Sequence, residues 1–85
     1  MKSLAKVVVD ALAFLELSGE DVIDSDAAVA AMESFAAELR ESSPEERAAL
    51  AEAVHVRYES QKAAGASSRV LDFYSRFMEH FIGDA

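Results

Sequence analysis

Apolar residues recur along this chain at spacings of three and four, and polar punctuation divides them into four helical stretches of about 4–17, 25–41, 44–64 and 68–82. In the first, Leu4, Val7, Val8, Ala11, Leu12 and Leu15 share one face at about 100° per residue, with Phe14 at its edge and Lys6, Asp10 and Ala13 opposite. Val9 and Leu17 fall outside that stripe. Their place predicts contact with a second neighbour or another subunit, or else simple exposure. Ser3 is placed to cap this helix, and Gly19 to end it in the left-handed conformation.

In the second stretch Ala28, Met32, Phe35 and Leu39 form a seam, with Val29 and Ala36 alongside and Asp24 or Ser25 as the cap. The third opens with the strongest local signal in the chain. Ser43, Pro44 and Glu46 make a capping box with proline at the first helical position. Leu50 and Val54 centre its apolar face, flanked by Ala53 and Tyr58, but Arg57 and Gln61 continue the same line. Arg57 therefore either lays its stem over the core with the guanidinium in water, or pairs with a carboxylate on another helix or subunit. Gly65 is the expected left-handed terminator.

The fourth stretch follows a cap at Ser67 or Ser68 and is the most amphipathic. Val70, Leu71, Phe73, Tyr74, Phe77, Met78, Phe81 and Ile82 cover about half its circumference. Phe73, Phe77 and Phe81 are candidate core or contact residues. The pattern as a whole predicts an all-α fold, a small antiparallel up-down four-helix bundle in a single domain spanning residues 1–85.

Composition thins this picture. Alanines number 17 of the 85 residues, and 27 positions carry Val, Ile, Leu, Met, Phe or Tyr, so the core is small and self-association is an expected supplement. Eight Lys and Arg against sixteen Asp and Glu give a net charge of -8. That balance opposes nucleic acid and anionic membranes, and fits a basic protein partner or simple solubility. Cysteine is absent, which excludes disulfides and thiolate chemistry. The opening Met1–Val9 resembles a signal peptide briefly, but Asp10 and Glu16 fall where the apolar run should continue. No uncharged stretch reaches the roughly 18 residues of a membrane span, and a cytoplasmic location is expected.

Candidate chemistry is sparse. The connector acids Glu20, Asp21, Asp24 and Asp26 invite calcium, yet an EF-hand loop begun at Asp24 would place Ala28 at a ligand position, Val29 at the glycine turn and Phe35 at the closing glutamate. Asp24-Ser25 at a helix start, in a small acidic four-helix chain, superficially resembles the modification site of acyl carrier proteins, whose Asp-Ser-Leu serine carries phosphopantetheine. Asp26 stands where that motif has an apolar residue, the connector is much shorter than the family's first loop, and the third helix is longer. His55 and His80 have no serine, cysteine and acid partners at readable spacing, and surface or helix-end roles are expected. No catalytic residue, cofactor or metal is expected. The functional expectation is a non-enzymatic, acidic helical interaction domain, a homodimer, with Arg57, Val9, Leu17, Phe73, Phe77 and Phe81 as candidate contact or paired residues. The alternative is an acidic inhibitor or immunity-type protein that covers a basic partner; an acyl-carrier-like protein is more distant.

Overall fold

A computed structural model describes residues 2–83, of which 78% are helical, with no strand among them. The order is α1 (Lys2–Leu17), α2 (Ser25–Leu39), α3 (Pro44–Ala63), α4 (Ser68–Ser75) and α5 (Phe77–Phe81). α2 and α3 each pack on α1 rather than on each other, and α4 packs on α3. The shortest dimension is 24 Å, about two helix diameters, so the molecule is two helical layers thick.

The helix ends follow local chemistry. The Asp24 carboxylate accepts from the Ala27 N–H at 2.9 Å and opens α2. At α3 the capping box is complete: Ser43 Oγ accepts from the Glu46 N–H at 3.1 Å, and Glu46 Oε1 accepts from the Ser43 N–H at 2.8 Å. α3 ends with Gly65 at φ +79, where the Ala66 N–H donates to the Gln61 carbonyl and the Gly65 N–H to that of Lys62. This paired pattern satisfies carbonyls the helix end would otherwise leave open, and an L side chain at that φ would be strained. Ser67 caps α4, accepting from the Val70 N–H at 3.4 Å.

Glu46 gives a pH prediction. The hydrogen bond from the Ser43 N–H, then that from the Ser43 side chain, lowers its pKa below the ordinary 4.5. A depressed carboxylate contributes stability that is complete above its unfolded value and is lost as pH falls through the folded one. Ser43→Ala, which removes the cap that accepts from the Glu46 N–H, should cost about 1 kcal/mol near neutrality, a melting shift of roughly 4–8 °C. Glu46→Gln should soften the loss of melting temperature below pH 4.5. Melting followed by circular dichroism between pH 7 and 3 checks both.

Four expectations need correction. Ser3 lies inside α1, which begins at Lys2, so it is no cap. Gly19 is not left-handed, since Gly65 and Gly83 are the positive-φ residues among those described. Its carbonyl instead accepts from Val22 and Ile23 in a tight turn, and a Cβ there would lie 2.7 Å from Asp21 Oδ1. α2 ends at Leu39, because the Ser42 and Glu41 N–H groups bond back over three residues and Arg47 Nη2 donates to the Arg40 carbonyl at 2.7 Å. The fourth stretch is two helices broken at Arg76, φ -104 and ψ 3. Ser75 Oγ donates to the Asp72 carbonyl just before the break, a local bond that competes with the regular ladder.

The main correction concerns α1. Ala5, Val9 and Leu12 are buried, while Leu4, Val7 and Phe14 are 64%, 63% and 53% exposed. The inward line is the expected one moved on by one residue, or about 100°. Val9 is completely buried and is not available to another subunit. The rotation turns Ala5, Val9 and Leu12 into the cluster that holds Phe77 and Phe81, its largest fully buried side chains. One cluster joins α1 to Ala36, to Leu50, Ala53 and Val54, and to Tyr74, Phe77, Phe81 and Ile82. Phe73 meets Tyr74, Phe77 and Phe81 edge-on, with ring centroids 5.0, 5.7 and 6.2 Å away. Edge-on rings place a positive rim against a negative face, adding to the energy of burial.

Candidate functional site

Three features merit weighing as a site: a polar cluster across three helices, the clefts at the α1 C-terminus, and the outward side of α1. The polar cluster is built on Arg57. Its Nε and Nη2 donate to Asp10 Oδ1 and Oδ2 at 2.8 and 2.9 Å, a two-bond pair between α3 and α1. Both side chains keep solvent contact, at 31% and 52% exposure, so Arg57 is paired without being buried. Asp10, by its hydrogen bonds and then its charge, raises the Arg57 pKa above its ordinary value. The Tyr74 phenol is pushed up by burial, then by Asp10, with Arg57 opposing.

This arrangement ties helices together and supplies no reacting atom. Exposed pairs of this kind contribute about 1 kcal/mol or less after solvent screening. Arg57→Leu should therefore lower stability by about that much in low salt and by less in about 1 M salt, because screening weakens a half-solvated pair. Urea titrations at both salt levels check the difference.

The clefts lie where α1 ends against α4 and α5. One of about 220 Å3 is lined by Glu16, Leu17, Arg69, Asp72, Phe73 and Arg76 together with His80 and Phe81. Two arginines there face two carboxylates, so the lining favours an ion of neither sign. Arg69 donates to the Glu16 and Leu17 carbonyls at 3.3 and 3.4 Å, placing positive charge at a helix end whose last turn has none. The neighbouring groove, about 500 Å3 and open to solvent, runs between α2 and α5 past Val29, Met32, Glu33 and Arg40. His80 borders both clefts, its ring edge-on to Phe81 at 4.7 Å, while His55 is exposed on α3. Among the described residues neither histidine forms a hydrogen bond or ion pair that would set it up as an acid or base. Among the described residues no three His, Asp or Glu side chains converge on a metal position. Asp24 is engaged as the α2 cap, beside an exposed Ser25.

Of the sequence candidates, Phe77, Phe81 and Val9 lie inside the core, Phe73 is half-buried against it, and Leu17 is half-buried in the wall of the smaller cleft. Val9, Phe77 and Phe81 have no surface to offer a partner, whereas the outward side of α1 leaves Leu4, Val7, Ala11 and Phe14 all exposed along it. The sequence pattern contained this line but assigned it to the core. Comparison with protein-family models, with curated proteins and with solved structures gave no match. No helix among the described residues is long and apolar enough to cross a membrane.

Proposed function

We propose that this chain is an acidic, non-enzymatic helical interaction domain that pairs with a second copy of itself in the cytoplasm. In this reading α4 and α5 act as one bent rod, so that the molecule works as an up-down four-helix bundle. The observation that carries the proposal is the apolar surface left outside a thin core: Leu4, Val7 and Phe14 on α1 are each more than half exposed. An exposed apolar strip on a small domain favours covering by a partner. Nothing of comparable coherence exists in the two clefts at the α1 C-terminus, where carboxylates and arginines are mixed and the walls stand open.

A second reading has a specific observation in its favour. From Glu20 to Leu39 the chain carries six of its sixteen acidic residues and no Lys or Arg, so α2 and the connector before it form an uncompensated acidic stretch. An acidic inhibitor that covers a basic protein would use that region. Sedimentation equilibrium in low and high salt separates the two. Self-pairing through apolar contact predicts a mass that rises above 9.2 kDa with concentration and is not weakened by salt, which screens the repulsion between two chains of net charge -8. The inhibitor reading predicts a monomer, and a basic partner captured in low salt and released in high.

A further inference from the structure

We infer that the second copy docks on the outward side of α1, with Leu4, Val7, Ala11 and Phe14 as the seam; this rests on the self-pairing reading and gives it a place. Three observations converge on that face. The spacing of three, four and three is that of a coiled-coil seam, which two identical helices can share about a twofold axis. α1 lies between α2 and α3, so its inward side is closed by the core and its outward side is the middle of a broad face. Leu4, Val7, Ala11 and Phe14 are all exposed along that side.

Charge argues for a second copy rather than a basic partner. α1 contains two lysines, one aspartate and one glutamate, so it sums to zero in a chain of net charge -8. The acidic run at residues 20–39 belongs to α2 and its connector. Two copies can therefore meet through α1 without pressing their acidic regions together at the contact. Asp10, beside the seam, is already held by Arg57, which mutes the one acid nearest the middle. A basic partner would find no excess of carboxylates here to complement it.

Area sets the strength. The three large seam residues expose on the order of 300 Å2 of apolar surface, within the range of a functional patch but below the roughly 800 Å2 per partner of a standard stable interface. The pairing is accordingly weak and reversible.

The test compares the wild type with the double variant Val7→Glu, Phe14→Glu and with Val29→Glu by sedimentation equilibrium, circular dichroism confirming that each is folded. Val29 is exposed but borders the α2–α5 groove, away from the seam. The expected result is wild-type pairing, weakened at least about tenfold in the double variant and within about twofold of wild type in Val29→Glu. As a second measurement, Ala11→Cys in this cysteine-free chain should be joined to its copy by a short bis-maleimide faster than Ala30→Cys. Wild-type pairing that the double variant leaves unchanged, or that Val29→Glu weakens equally, overturns the seam and leaves self-pairing standing. Ala30→Cys joining as fast as Ala11→Cys also overturns it. A wild type that stays monomeric to millimolar concentration overturns the self-pairing reading and the seam with it, and gives the face to a different partner.

Discussion

Val9→Asp should leave the chain unfolded at room temperature, whereas Val7→Asp, two positions away, should leave its melting temperature almost unchanged. Val9 is 0% exposed and belongs to a cluster of apolar side chains. A carboxylate placed there has no cation to meet, and a buried unpaired charge costs several kcal/mol even after the group protonates. The whole domain should have on the order of 4–13 kcal/mol to lose, at roughly 0.05–0.15 kcal/mol per residue. Val7, at 63% exposure, puts its replacement in water, where surface changes stay within about 0.5 kcal/mol. Circular dichroism at 222 nm and thermal melts on the two variants check the contrast. It is a direct reading of which side of α1 faces inward.

Phe77→Ala should cost about 3–5 kcal/mol, lowering the melting temperature by roughly 15–30 °C if the domain folds at all. Phe77 has no exposed surface and stands against Phe81 at 4.8 Å and Phe73 at 5.7 Å between ring centroids. Truncation removes those contacts and opens a cavity that the neighbouring rings close only in part. Phe14→Ala is the matching control. Phe14 carries the same ring on the outward side of α1 and is 53% exposed, so its loss should leave the melting temperature of the monomer nearly unchanged. Chemical denaturation at low protein concentration measures both without interference from pairing.

How far the sequence revealed this arrangement depends on how many answers each local signal allowed. The capping box at Ser43 and Glu46 and the left-handed Gly65 were legible because short-range hydrogen bonding decides them. The inward face of α3 was legible too, since Leu50, Ala53 and Val54 have polar residues around them. α1 was not, because Leu4, Val7 and Ala11 make as good a stripe as Ala5, Val9 and Leu12. A helix apolar on both sides has two stable-looking orientations, and only the shape of the partner surface chooses between them. Here the partner surface is the cluster that holds Phe77 and Phe81 with Phe73 beside it, and Ala5, Val9 and Leu12 are the line turned into it.

The break at Arg76 was hidden for a related reason: residues 68–82 carry a continuous helical pattern, and the bend is set by how Tyr74, Phe77 and Phe81 reach one core. Arg57 was visible as a residue needing a partner, but not Asp10 as that partner, 47 positions away. A lone acid midway along an apolar helix was the signal available. The exposed α1 seam follows from the misread face. Once Ala5, Val9 and Leu12 turn inward, the other apolar stripe has to face out.

The central claim is that the outward side of α1 is where copies of this protein meet, and the most direct measurement is a dilution series followed by NMR from millimolar to low micromolar concentration. The account predicts concentration-dependent shifts at Leu4, Val7, Ala11 and Phe14, with the Val22 and Val29 methyls unmoved. Shifts centred on Val22 and Val29, or spectra identical across the whole range, would contradict it.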